Sequence, residues 1–252
     1  MDTLLTISNL SIKYQTKKAE IHAIDNLSFL VKKGEFIAII GKSGCGKTSI
    51  LSAIANLIDY EGNIVFNEEI LKNKCDLLIG YMLQRDELFP WLTIEQNAIL
   101  PLKIKKILTK ERKNFINELL EKYGLMKFAH CYPNQLSGGM RQRASLIRTL
   151  SFSPELLLLD EPFSALDYQT RLSVCNDVYD IIKKENKTAI LVTHDISEAI
   201  SVADKIIVLT DRPARVLSEN IINLNKKLSP LKRREEKEFA TWFEKLWGEL
   251  HA

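Results

Sequence analysis

The chain has little glycine. Ten glycines in 252 residues is about 4%, against a usual figure of about 7%. Five of the ten fall in two short clusters, Gly41, Gly44 and Gly46, and Gly138 and Gly139. Glycine used sparingly and then bunched marks places where backbone must come close to something. Cysteine is also sparse. Cys45, Cys75, Cys131 and Cys175 include no C-x-x-C pair, which excludes a zinc ribbon and a dithiol redox motif. Free thiols in a reducing cytosol fit this usage. Neither charge sign dominates: 35 Lys and Arg against 32 Asp and Glu give +3, too little to argue for nucleic acid as a partner.

Long hydrophobic runs are missing. The longest, Phe36 to Ile40, has five residues, and a spanning helix needs about twenty. The start, Met1-Asp2-Thr3-Leu4, has no basic region and no apolar core, so no secretory signal is expected. There are no internal repeats or low-complexity segments. What remains is globular: 46% hydrophobic and 27% charged residues exclude a disordered, collagenous or coiled-coil chain. The length allows one large domain or two small ones, burying roughly three quarters of the unfolded surface.

Hydrophobic patterning then predicts elements. Leu5 and Ile7, followed by Ile12 and Tyr14, alternate as in a strand, and Ile24 to Val31 reads as another. Phe36 to Ile40 is β-branched and continuous, the pattern of a strand buried on both faces. Leu156 to Leu159, Thr188 to Val192 and Lys205 to Leu209 predict three more strands. Helical spacing starts at Thr48 with Ile50, Leu51, Ile54 and Leu57. Strands alternating with helices argue for an α/β fold with a largely parallel sheet. Residues 86 to 150 differ and read as a helical insertion. There Thr109 is placed to cap a helix with an apolar stripe, Phe115, Ile116, Leu119, Leu120 and Tyr123, and Gly124 as its stop. Near the end, Phe239, Trp242, Phe243, Leu246, Trp247 and Leu250 form the wide stripe of an amphipathic helix.

The first glycine cluster is the most specific signal. Gly41-Lys42-Ser43-Gly44-Cys45-Gly46-Lys47-Thr48 fits G-x-x-x-x-G-K-[ST] after a strand and before a helix. Glycines let backbone N–H groups close round phosphate oxygens, and the helix N-terminus adds about half a positive charge. In this chemistry Lys47 reaches the β- and γ-phosphates and the Thr48 hydroxyl ligates Mg²⁺. Four leucines then deliver Asp160 to the sheet's carboxyl edge, where it would hold Mg²⁺ through water. Glu161 beside it is placed to orient or deprotonate an attacking water. Alone, the same pattern is also that of a strand ending in solvated acids. The second cluster stays open on local physics. Ser137 before two glycines at a helix start fits an anion site and equally a plain N-cap.

Leu136-Ser137-Gly138-Gly139-Met140-Arg141-Gln142-Arg143 resembles the signature motif of ABC ATPases, and other motifs of that family fall in order over residues 4 to 218. Gln84 matches the Q-loop glutamine, Ser164-Ala165-Leu166-Asp167 the D-loop, His194 the switch histidine and Tyr14 the aromatic that stacks on adenine. The resemblance implies a P-loop NTPase (RecA-like) core with a mostly parallel sheet, an N-terminal antiparallel β part and an inserted helical subdomain. It implies an ATPase domain at 4–218 (core 4–85 and 151–218, helical subdomain 86–150) and a tail at 219–252. By residue it implies ATP and Mg²⁺ held by Tyr14, the loop 41–48, Ser49, Asp160 and Gln84. Glu161, Gln84 and His194 would serve hydrolysis. Ser137, Gly138, Gly139 and Asp167 would complete the ATP site of a second ATPase subunit, expected as a homodimer, two cassettes sandwiching two nucleotides head to tail. Without the resemblance, Tyr14, Gln84 and His194 are equally a strand aromatic, a loop amide and a strand-end histidine.

Met82-Leu83-Gln84 followed by Leu88-Phe89-Pro90-Trp91 is similar to the nitrate/sulfonate/taurine importer ATPases, with relatives importing thiamine precursors or riboflavin. Asp211-Arg212-Pro213-Ala214-Arg215-Val216 and the aromatic tail resemble the same subgroup. The implied partners are a second ATPase subunit, transmembrane permease subunits and a solute-binding protein, with the chain peripheral on the cytoplasmic face of the cell membrane and no nucleic acid bound. About 34 residues follow the core, too few for the regulatory domain of sugar-importer ATPases. The run Lys103 to Lys113 has six Lys or Arg and one Glu, a solvated face or a contact for anionic headgroups. The rival class is a non-transport ABC ATPase acting on nucleic acid or ribosomes. Such proteins usually carry a second cassette or a long coiled-coil insertion, and this chain has neither.

Overall fold

A computed structural model of the chain describes residues 2–15, 19–71 and 78–251; Cys75 lies outside them. The strands are β1 (Thr3–Gln15), β2 (Glu20–Lys32), β3 (Phe36–Ile40), β4 (Glu61–Phe66), β5 (Glu69–Ile70), β6 (Ile79–Met82), β7 (Leu156–Asp160), β8 (Thr188–Thr193), β9 (Lys205–Leu209) and β10 (Val216–Ile221). The helices are α1 (Lys47–Ile54), α2 (Ile94–Ile104), α3 (Lys110–Lys122), α4 (Gly138–Leu150), α5 (Tyr168–Lys184), α6 (Ile196–Val202), α7 (Pro230–Arg233) and α8 (Lys237–His251).

Two sheets result. The larger has the order β10-β9-β3-β8-β7-β6, and the smaller β2-β1-β4-β5. Pairing is parallel from β9 through β3, β8 and β7 to β6, with β10 antiparallel at the edge. The smaller sheet is antiparallel throughout. The fold is therefore the α/β class expected.

The continuous apolar strands explain the layering. Every residue of β3, β7 and β8 is buried, because side chains alternate between two covered faces. Leu156 and Leu158 join Ile37, Ile39, Ile190 and Val192 against α1 and the smaller sheet. Leu157 and Leu159 face the other way, into a core with Ile147, Leu150, Val178 and Ile182. Burying one such Leu or Ile side chain contributes about 1.5–3 kcal/mol, so Leu158→Ala would cost about 2–5 kcal/mol.

The smaller sheet solves a puzzle of phase. Leu5 and Ile7 are odd-numbered, whereas Leu10 and Ile12 are even, yet all four are buried. Asn9, at φ +53°, and a register shift between Ile7 and Leu10 insert the extra residue that flips the alternation. β2 begins four residues before the predicted Ile24, because it pairs along nearly all of β1. β4, β5 and β10 were not predicted; β4 shows only Ile64 and Phe66 on its buried face.

Within the insertion, Thr109 accepts from the Arg112 N–H and caps α3, and Gly124 follows that helix at φ +72°. Ile116, Leu119, Leu120 and Tyr123 are buried, with Phe115 packed alongside. Near the end, β10 crosses the expected boundary at 218. Ile222, Leu224 and Leu246 then bury with Ala38, Ile40, Ile196 and Ile200, so α8 lies against the core. Phe239, Trp242, Phe243 and Leu250 pack around this cluster. Trp247 is the exception in the stripe: it is 51% exposed, stacked between Phe243 and His251. No helix among the described residues is long and apolar enough to cross a membrane.

Candidate nucleotide site

Parallel strands place their carboxyl ends along one sheet edge, and the loops that follow them gather there. β3 ends at Ile40 and the loop 41–46 follows, leading into α1. Gly44 and Gly46 have φ +76° and +125°, values at which a side chain is strained. Gly46 is also crowded: a Cβ there would sit 2.7 Å from Ile24 Cδ1 and 3.1 Å from the Ala23 carbonyl oxygen. Lys47 is only 4% exposed, and its ammonium donates to the carbonyls of Gly41 at 2.8 Å and Lys42 at 3.0 Å. A buried lysine held by neutral carbonyls, below backbone amides turned by two left-handed glycines, is a fitting cradle for phosphate.

The acidic side comes from β7. Thr48 Oγ1 donates to Asp160 Oδ1 at 3.1 Å, and the Tyr81 hydroxyl donates to Oδ2 at 3.2 Å. Burial pushes the Asp160 carboxyl above its ordinary value, although both hydrogen bonds oppose the rise. Burial likewise raises the Tyr81 phenol, which keeps it a donor. A hydroxyl and a carboxylate at this spacing are hard oxygen donors that fit Mg²⁺.

Glu161 sits at φ +42°, with its N–H donating to the Val192 carbonyl at 2.9 Å. Its carboxylate collects two of the predicted residues. Gln84 Nε2 donates to Glu161 Oε2 at 3.3 Å, and His194 Nδ1 lies 3.1 Å from the same oxygen. Ser164 Oγ donates to the Glu161 carbonyl at 3.0 Å. Thus side chains from the ends of β6 and β8 meet the carboxylate carried at the end of β7. Tyr14 reaches the site from β1, its hydroxyl donating to Ser49 Oγ at 2.9 Å. A cavity of about 320 Å³ is lined by Ser43, Gly44, Gly46, Lys47, Thr48, Ser49, Gln84 and Glu161, together with Arg212. Cys45 is buried beneath the loop, and burial raises its thiol.

The second glycine cluster lies elsewhere. Ser137 accepts from the Met140 N–H at 3.4 Å and caps α4. Gly138 and Gly139 are the first residues of that helix, and neither lines the cavity. A Cβ on Gly139 would meet Val174 Cγ2 at 2.9 Å, and one on Gly138 would meet Leu166 Cδ2 at 3.0 Å. The glycines let α4 press against α5 and the 164–167 turn. Asp167 caps α5 through the Thr170 N–H at 3.1 Å, and hydrogen bonding with Thr170 pulls its carboxyl below the ordinary value.

Four contacts of the site escaped the sequence reading. Tyr81 on Asp160 and Arg212 in the cavity are two. The third is a bracket behind Gln84: Arg141 pairs with Asp86 at 2.9 Å, and Arg148 and Ser145 donate to the Asp86 carbonyl at 2.8 and 2.9 Å. The fourth is Glu198, 4% exposed, which accepts from Thr193 Oγ1 at 2.5 Å directly before His194. Burial pushes its carboxyl up to about 7, against the pull of that hydrogen bond. No local pattern gives the partners in these contacts, because each contact joins separate strands or turns.

Comparison with known proteins agrees with this geometry. The family model described as "ABC transporter" matches residues 24–164. An uncharacterized ABC transporter ATP-binding protein, YtlC of Bacillus subtilis, is 45% identical over 253 residues, 99% of this chain and 96% of its own. The aliphatic sulfonates import ATP-binding protein SsuB of Bacillus licheniformis is 41% identical over 194 residues, covering 77% of this chain and 74% of its own. Among solved structures, the ATP-binding cassette MJ0796, a dimer in a post-hydrolysis state bound to ADP and phosphate, superposes with TM-score 0.75. It is 30% identical and covers 87% of this chain and 99% of its own. With the phosphate cradle, the carboxylate cluster and these likenesses together, the chain belongs to the ABC transporter family and is an ATP-binding, ATP-hydrolysing cassette subunit.

Proposed function

We propose that this ATPase powers import of a small solute through a separate permease, and that the residues described above divide the work of hydrolysis. The single observation that carries the catalytic part is the convergence of Gln84 and His194 on Glu161 at the rim of the phosphate cradle. The Tyr14 ring stacks on adenine, Ser49 and the loop 41–48 hold the phosphates, and Lys47 moves from the loop carbonyls to the β- and γ-phosphates. Thr48, Asp160 and Gln84 are the residues that hold Mg²⁺, which when bound offsets the charge of the β- and γ-phosphate oxygens. Glu161 orients the attacking water and takes its proton as the water oxygen bonds to the γ-phosphorus and the bond to ADP breaks. Gln84 positions that water, and His194 contacts the γ-phosphate while holding the Glu161 carboxylate in place.

Ser137, Gly138, Gly139 and Asp167 lie outside the chain's own cavity, and we assign them to the nucleotide of a second copy. A helix start stabilises negative charge, and closure of two cassettes excludes water from both sites. The dimeric state of the MJ0796 cassette supports this reading.

The transport reading rests on the surface beside Gln84. Trp91 is 68% exposed and packs against Phe89 with the rings tilted by 53° and their centroids 5.3 Å apart. Asn97, fully buried, fixes this aromatic turn by accepting from the Phe89 N–H and donating to the carbonyls of Phe89, Leu92 and Thr93. A rigid exposed aromatic pair is a good anchor for a partner helix, and it adjoins the glutamine that would sense it. The likeness to a sulfonate importer subunit favours a sulfonate-, nitrate- or taurine-like solute, with thiamine precursors or riboflavin in the same range. The complex would include a solute-binding protein, and the chain would sit at the cytoplasmic face of the membrane. The test is purification of the full chain from membranes, then ATP-dependent uptake in vesicles of the recovered complex, comparing an aliphatic sulfonate with nitrate. Recovery with ribosomes or DNA and no permease would overturn the transport reading.

A further inference from the structure

Arg212 lines the cavity. The β9 strand lies beside β3, with Val208 opposite Ile40, so the turn after β9 runs alongside the phosphate loop. That turn is firmly held. Thr210 and Arg215 close it through Thr210 N–H to the Arg215 carbonyl at 3.0 Å and Arg215 N–H to Thr210 Oγ1 at 2.9 Å. Ala214 exchanges backbone bonds with β2, its N–H donating to Ala23 at 2.9 Å and its carbonyl accepting from Asp25 at 3.0 Å. The Arg215 guanidinium grips the Asp25 carboxylate. From this anchored turn two adjacent side chains reach the phosphate loop. Asp211 pairs with Lys42 at 2.9 Å, and the Arg212 guanidinium donates to the Gly44 carbonyl.

We infer that Arg212 is a positioning residue for the phosphate loop, acting with Asp211 to hold residues 42–44 in the conformation that receives phosphate. In an anion-binding loop successive backbone amides converge on the anion, and each amide's direction is tied to the carbonyl of the same peptide plane. Gly44, at φ +76°, makes that turn sterically free, but nothing intrinsic to glycine keeps it there. A cation fixed on the Gly44 carbonyl therefore restrains the 44–45 peptide plane and the Cys45 amide it carries. Lys42 is held by Asp211 away from the cradle, so the pair braces the loop at both ends of the 42–44 segment. Binding then costs less ordering of the loop, which is preorganisation.

The inference rests on the reading of residues 41–48 as the nucleotide's phosphate loop. It is tested on the full chain with Arg212→Gln, Arg212→Lys and Asp211→Asn, with Lys47→Ala as the control for that reading. Three readouts apply: affinity for ATP, the split between KM and kcat in basal hydrolysis, and amide hydrogen exchange at 42–46 without nucleotide. Arg212→Gln should weaken ATP binding about 10-fold, the loss of one charge-assisted hydrogen bond. KM should rise more than kcat falls, and exchange at 42–46 should quicken. Arg212→Lys should restore part of the affinity, since an ammonium still donates to the carbonyl. Asp211→Asn, which leaves Arg212 intact, should give a smaller loss and keeps the inference testable if an Arg212 variant fails to fold. A fall in kcat of about 100-fold with affinity unchanged would place Arg212 on the transferring phosphoryl and overturn the positioning role. Unchanged affinity and exchange in Arg212→Gln, with ATP binding lost in Lys47→Ala, would overturn this inference alone. ATP binding retained in Lys47→Ala would overturn the phosphate-loop reading beneath it.

Discussion

Two glycine clusters each open a helix, and they use glycine for different reasons. At Gly44 and Gly46 the backbone takes left-handed φ values that side chains resist, and the loop surrounds an open cavity. At Gly138 and Gly139 neither φ is left-handed, and what requires glycine is the approach of Leu166 and Val174. The first cluster makes a complete cradle inside one chain. The second makes a closely packed helix start outside that cavity. Glycine is conformational as well as steric in the first and steric alone in the second, so the same substitution tests them differently.

The comparison is broken most strongly at the chemistry beside the first cluster. Glu161→Gln should slow hydrolysis by roughly 10²- to 10⁴-fold while ATP remains bound, measured as phosphate release alongside nucleotide affinity. The amide keeps a hydrogen-bonding partner for Gln84 and His194 but cannot take a proton. An unchanged rate would remove Glu161 from the mechanism. Next in size is Gly46→Ala. Left-handed strain of about 1–3 kcal/mol, with a methyl 2.7 Å from Ile24 Cδ1, should weaken ATP binding roughly 10- to 100-fold. Gly139→Ala should leave ATP affinity of the single chain within about twofold and loosen only the α4–α5 contact. Equal losses of affinity in the two variants would erase the distinction.

A third strand-to-helix turn sharpens the contrast, because it uses no glycine. β8 passes through His194 into α6, with Asp195 as the cap and Glu198 buried behind it. Arg171 and Arg234 draw the Glu198 carboxyl down and Asp195 pushes it up, but burial dominates and raises it to about 7 from 4.5. The folded state therefore holds a proton that the unfolded chain releases near 4.5. On this group's account stability is greatest below pH 4.5 and falls as pH rises to about 7. Thermal unfolding from pH 5 to 8 should show this decline, and Glu198→Gln should remove it. A variant with the same pH slope as the parent would assign the slope to other groups.

These cases show what was legible in the sequence. The strands β3, β7, β8 and β9 were, because burial on both faces leaves an unbroken apolar signature. The eight-residue loop was, because its chemistry depends on neighbours along the chain. β4 and β10 were not, since each is covered on one face and has few apolar residues to show for it. Tyr81, Arg212 and Glu198 were not, because their partners are set by which strands lie side by side, and strand order is absent from any local window. Ser137 to Gly139 lie between: their cap and helix are local, while any partner lies across a second chain.

The smallest expected effect is at that cap. Ser137 Oγ satisfies one of the free amides of α4 at 3.4 Å, a long bond, so Ser137→Ala should cost about 0.5–1 kcal/mol of stability. In a chain of this size that is a fall of roughly 1–4 °C in Tm. If Ser137 were only a cap, the effect would end there, and hydrolysis would follow the folded fraction. If it also completes a second chain's site, basal hydrolysis should fall about 10-fold or more at a temperature where the variant is fully folded, with ATP affinity of the single chain unchanged. Ser137→Asp separates the two roles further. Aspartate caps a helix as well as serine does, so stability should recover. A carboxylate facing a partner's phosphate repels it, so hydrolysis should fall below that of the alanine variant. Recovery of both properties in Ser137→Asp would reduce the second cluster to a capped, closely packed helix start.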